Sequence, residues 1–152
     1  MEVARLRSFL QRHRLVALDT CLFIYQWEGN VRYSSLTDDI FLWIERSRSK
    51  AITSTLTMAE LLVHPYRTRD QSHVNELIGL FYTFPNLSWI APDLAIASRA
   101  AEIRAQHNLR TPDAIQAATA IHAKATLFIT NDTVFERVEG FETLVLDRVM
   151  RV

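Results

Sequence analysis

The chain has 152 residues, 49% hydrophobic and 22% charged, with 17 basic side chains balanced by 17 acidic ones. That is the composition of a single globular domain with a real core, and zero net charge excludes a protein that binds polyanions with its whole surface. The longest run free of strongly polar residues, Leu77–Tyr82, is too short for a membrane span, and the arginine-broken first fourteen residues are no secretory signal.

The elements are expected in the following order. An amphipathic helix covers about Val3–His13, forming a helical extension over residues 1–14 of a domain that runs 1–152. Leu15–Leu18 is an apolar run of strand length, closed by Asp19-Thr20. Leu36–Arg48 repeats apolar residues at helical spacing, and Ala51–Ser54 is a second strand. A helix bearing Met58, Leu61 and Leu62 follows, and Pro65 is expected to end it. Asn75–Phe84 is helical, Leu87–Ala91 a strand, and Leu94–His107 and Asp113–Lys124 are helices. In the last of these Thr111 reads as the N-cap and Pro112 as the first helical residue. Thr126–Thr130 is a strand of β-formers, and Leu144–Leu146 a weak final one. Strands of four to six residues alternating with helices predict a parallel sheet covered by helices on both faces.

Ligands of open parallel sheets bind beyond the carboxyl ends of the strands. The residues expected there are acidic. Asp19 closes the first strand, Glu60 lies on the helix after the second, Asp132 follows TLFIT, and Asp113 opens the helix leading into that strand. Capping alone accounts for each aspartate singly, and the apolar neighbours of Glu60 in MAELLV argue against a solvated helix position. Together, four like charges repel, and no Arg or Lys directly neighbours any of them in the sequence. Carboxylate oxygens gathered in this way suit a hard divalent cation, and the lack of His and Cys argues against zinc. Mg²⁺ or Mn²⁺, as one or two ions, would equip such a site for phosphodiester hydrolysis.

Other chemistries lack their residues. Gly29, Gly79 and Gly140 are isolated, so no phosphate loop or dinucleotide fingerprint exists, and Gly-x-Ser-x-Gly is absent. The lone Cys21 permits no internal disulfide, makes a reducing cytoplasm the default compartment, and reads as a small buried thiol. His64, His107 and His122 read as structural or surface residues.

LDTCLFIY around Asp19, TSTLTMAELL around Glu60, TPDAIQAATA around Asp113 and FITNDTVF around Asp132 resemble the four acidic motifs of PIN-domain nucleases. The likeness is closest to stand-alone VapC-type toxins. It implies a three-layer α/β/α sandwich with a parallel sheet of about five strands. It also implies Mg²⁺- or Mn²⁺-dependent endoribonuclease activity carried by Asp19, Glu60, Asp113 and Asp132, with Thr130 and Asn131 steadying the site around Asp132. Arg67, Arg69, Arg104 and Arg110 are the candidates for gripping the RNA backbone. The expected partners are RNA, a second copy of the chain and a small antitoxin, with no membrane. Two alternatives stay open: an RNA-processing nuclease without an antitoxin, and a silent PIN-like module that binds RNA or protein.

Overall fold

The computed structural model describes residues 2–150; Met1, Arg151 and Val152, part of the expected 1–152 domain, lie outside the described residues. Five strands form one fully parallel sheet: β1 (Leu15–Leu18), β2 (Lys50–Ser54), β3 (Leu87–Ile90), β4 (Leu127–Thr130) and β5 (Glu142–Val145). Their spatial order is β3-β2-β1-β4-β5. The central strand β1 pairs with β2 through Val16–Ala51 and with β4 through Ala17–Phe128. The chain winds from β1 outward to β2 and β3, then returns to the other side of β1 for β4 and β5. The change of direction falls between β1 and β4, where an open parallel sheet leaves a crevice at its carboxyl edge.

Both faces of the sheet are buried because side chains alternate along each strand. Val16, Leu18, Leu127 and Ile129 enter one apolar cluster, whereas Ala17, Ile52 and Phe128 enter the other. The first cluster is closed by helices α1 (Glu2–Leu10), α2 (Thr20–Trp27), α3 (Ser34–Arg46) and α6 (Gln71–Thr83). Its centre is Phe23, fully buried, in contact with the rings of Trp27, Phe41, Phe81 and Trp89. The second cluster lies under α7 (Leu94–His107) and α8 (Thr111–His122), where Ala114, Ala117 and Ala118 let α8 approach the sheet closely.

Several boundaries differ from the sequence reading. Helix α1 ends at Leu10, and His13 turns inward so that its Nδ1 meets Thr126 Oγ1 at 2.9 Å. Pro65 ends nothing: α4 (Thr55–Leu61) stops before it, and α5 (Val63–Arg67) carries it in the first turn, where a missing N–H costs no helical bond. Thr111 is not the cap of α8; Arg110, with extended backbone, is the N-cap residue, and Thr111 and Pro112 are already helical. The last strand ends at Val145, and Leu146, expected in a strand, begins α9 (Leu146–Met150). Helix α2 enters the sequence reading only through the capping role of Asp19, with no residues assigned to it. With so few glycines, Asn108 takes the left-handed conformation that stops α7 (φ 55). The short link from there delivers the start of α8 to the carboxyl edge.

Candidate active site

Asp19 follows the last residue of β1, and its backbone N–H still reaches across to Ile129 O on β4 at 3.0 Å. Its side chain is buried at the N-terminus of α2, where Oδ1 accepts from Thr20 N at 2.8 Å and Oδ2 from the Thr130 hydroxyl at 2.7 Å. Burial pushes its pKa up from 3.8 to about 6 despite those two hydrogen bonds, and the negative charges of Asp113 and Glu60 add to the rise. A carboxylate this poorly solvated calls for positive charge.

Thr130 does more than hold Asp19. Its hydroxyl also accepts from Asp132 N at 3.1 Å, so one side chain fixes the two strand ends against each other. Asp132 is exposed and caps the 3-10 turn Thr133–Arg137 by accepting from Val134 N at 2.9 Å. Asn131 does not reach Asp132. Its amide donates to Tyr25 OH at 3.2 Å, and its oxygen accepts from Asp147 N at 2.9 Å, tying the segment that bears Asp132 to α2 and α9.

Glu60 departs from the expectation that its apolar neighbours would bury it. It lies on the exposed side of α4, with its carboxylate turned in to accept from Thr20 Oγ1 at 3.2 Å. Partial burial and then the charge of Asp113 raise its pKa, while Thr20 and Arg110 oppose the shift. Asp113, in the first turn of α8, pairs with Arg110, whose Nε donates to Oδ2 at 3.0 Å and whose Nη2 donates to Oδ1 at 3.5 Å. The acidic rim therefore has a counter-charge, three residues before Asp113, that reading immediate neighbours overlooked. Asp113, Asp132 and Glu60 all act on that guanidinium, whose pKa they raise together. Asp19 and Glu60 thus feel the charge of Asp113, and Asp132 joins them only through its action on Arg110.

Among the described residues, none of the other three expected cations forms an ion pair with one of the four acids. Arg104 donates from Nε to Leu109 O at 3.2 Å and braces the link between α7 and α8. Arg67 and Arg69 are exposed at the end of α5, and among the described residues neither side chain makes a hydrogen bond or ion pair. Cys21 is 3.9 Å from Asp19 Oδ2, and burial drives its pKa far above the ordinary thiol value, so it stays protonated.

Three polar residues at this edge escaped the sequence reading. Thr20, Thr57 and Gln116 are buried and joined to Thr53 in one network. The signal was present in Gln116, an amide within the apolar stretch AIQAATA on a helix that faces the sheet.

Among the described residues no three His, Cys, Asp or Glu side chains stand close enough to enclose an ion by themselves. The donor set nonetheless suits a hard cation that keeps several waters, since every side chain of the quartet offers carboxylate oxygen and the most buried lacks a compensating cation.

The family model of the PIN domain matches residues 16–140, a span containing all four acids. Among solved structures, the chain is similar to VapBC2 of Rickettsia felis bound to a promoter DNA fragment, at 16% identity and a TM-score of 0.67, covering 86% of this chain and 98% of that one. A toxin-antitoxin complex from Klebsiella pneumoniae matches at 21% identity and a TM-score of 0.64, covering 86% and 97%. DNA-bound VapBC from Salmonella typhimurium matches at 20% identity and a TM-score of 0.60, with the same coverage. Among curated proteins, none matches the sequence significantly. With a five-stranded parallel sheet in the matching fold and the family model spanning most of its length, the chain belongs to the PIN-domain family.

Proposed function

We propose that this protein is a divalent-metal-dependent endoribonuclease and the toxin half of a toxin–antitoxin pair. The observation that carries the nuclease reading is the buried Asp19 carboxyl, raised to about 6, at the crevice between β1 and β4 with Asp113 and Glu60 acting on it. A silent binding module has no use for such repulsion. The toxin reading is supported by the solved structures of similar fold, which are described as VapBC and toxin-antitoxin complexes. The span matched by the family model, residues 16–140, includes all four acids.

Asp19, Asp113, Asp132 and Glu60 would hold Mg²⁺ or Mn²⁺, which when bound supplies positive charge at the attacked phosphate and acidifies a water. Thr130 holds the Asp19 carboxyl and the Asp132 backbone in fixed relation, which supports the reading that the two share an ion. Glu60, its pKa raised by partial burial and then by Asp113, would either bind a second ion or take the proton of the attacking water. Arg110 is exposed and can exchange Asp113 for a phosphate oxygen of the RNA backbone. The products are a 5′-phosphate and a 3′-hydroxyl. Exposed apolar side chains such as Tyr82 and Leu94 offer surface for a second copy of the chain.

The deciding experiment incubates the purified protein with structured RNA in Mn²⁺ or Mg²⁺ and with EDTA. Metal-dependent cutting that Asp113→Asn abolishes supports the nuclease; cutting that persists in EDTA overturns it. Growth arrest on expression, cured by Asp113→Asn, separates a toxin from an RNA-processing enzyme.

A further inference from the structure

Glu60 should not stay where it is found. Its helix position is exposed, Asp113 repels it, and a glutamate loses rotamer freedom when held in one place. Its one hydrogen bond comes from Thr20 Oγ1 at 3.2 Å. A hydroxyl has a single proton, so Thr20 serves Glu60 only if that proton is not directed elsewhere.

The surrounding network settles the direction by counting protons. Thr53 Oγ1 donates to Leu18 O at 2.9 Å, so it can only accept from Thr57 Oγ1, 2.8 Å away. Thr57 has then used its own proton and must accept from Gln116 Nε2 at 2.8 Å. The second amide proton of Gln116 goes to Thr20 Oγ1 at 3.3 Å. Thr20 keeps one proton, with Thr57 Oγ1 at 3.1 Å and the Glu60 carboxylate at 3.2 Å as the two acceptors. A charged acceptor forms the stronger bond, roughly twice that of a neutral one, so Glu60 receives it. All four members are buried, Thr57 fully and Gln116 to 3% exposure, so no water reorients them from outside.

We propose that Gln116 is a positioning residue: by donating to Thr57 and Thr20 it aims the Thr20 hydroxyl at Glu60 and keeps that carboxylate turned into the acidic rim. Its consequence for turnover rests on the nuclease reading above, whereas the placement of Glu60 does not. Gln116→Met keeps the volume and removes both donors. Thr20→Val removes the intermediary proton, and Thr20→Ser keeps it.

The test measures RNA cleavage with Mn²⁺ for these variants and for Gln116→Met/Thr20→Val, and compares crystal structures of the metal-free proteins at one pH. Gln116→Met and Thr20→Val should each lower kcat about tenfold with KM changed less than about twofold, the loss of one hydrogen bond to a charged group. Thr20→Ser should recover most of the loss, and the double variant should be no worse than either single one. In the crystals, Glu60 should leave its place against residue 20 in both single variants. Losses that multiply in the double variant, or a Glu60 that stays put in either single variant, overturn the proposal. If Gln116→Met does not fold, Thr20→Val against Thr20→Ser decides by the same two measures. If the wild type cuts no RNA, the nuclease reading fails and the position of Glu60 alone decides this one.

Discussion

Asp19→Asn isolates the cost of burying a carboxyl at the acidic edge. In the folded protein the Asp19 pKa stands at about 6 against 3.8 for the free side chain. The folded state therefore binds this proton more tightly than the unfolded chain, and stability falls as pH rises between those two values. Above about pH 6 the full cost is present, roughly 3 kcal/mol by the conversion of 1.36 kcal/mol per pH unit. Asparagine matches the local geometry: its oxygen can accept from Thr20 N, and its amide can donate to Thr130 Oγ1, which also accepts from Asp132 N. Replacing charged hydrogen bonds with neutral ones returns part of the gain. The expected outcome is a variant more stable than wild type by about 1–3 kcal/mol at pH 7, converging with it near pH 4. Urea unfolding in EDTA across that pH range measures it, and millimolar Mn²⁺ should then raise the Tm of the wild type only. A stability difference between wild type and variant that stays flat over the range, or an asparagine variant weaker at pH 7, would refute the reasoning.

Other outcomes can be checked in the same preparations. Arg110→Ala frees Asp113 of its guanidinium, so calorimetry should show tighter Mn²⁺ binding, while RNA affinity should weaken and its log–log salt slope become shallower by about 0.7. An unchanged slope would remove Arg110 from the RNA contact. His13 is buried with its Nε2 3.4 Å from Glu142 Oε2, out of hydrogen-bond alignment, and burial lowers its pKa below 6.5. The unfolded chain takes up that proton first, so stability present above pH 6.5 drains away as pH falls, and His13→Gln should flatten this acid limb in denaturant titrations. Phe23→Ala should cost about 3–5 kcal/mol, the range for removing a fully buried aromatic, measured by urea midpoint.

Local signals read well where an element has a polar face or a clear stop. β1 and α7 occupy the residues expected of them, since LVAL is bounded by Arg14 and Asp19, and α7 by Pro92-Asp93 and Asn108. The extent of helix α2 is not legible because Cys21, Leu22, Phe23 and Ile24 leave it no polar face, so it shows no amphipathic period beyond the cap at Asp19. The burial of Glu60 was misjudged from its chain neighbours because α4 is only seven residues long, too short for neighbours to define a face.

The amino-acid sequence on its own determined the alternation of strands and helices, the family resemblance and the choice of four candidate acids, because these depend on periodicity and on short motifs. Only the tertiary structure decided the strand order, the pairing of Arg110 with Asp113, and the buried hydroxyl and amide network. Gln116 meets Thr20 across 96 positions and Thr130 meets Asp19 across 111. Hydrogen-bond direction and loss of solvent depend on distances between such remote residues, and no local pattern encodes them.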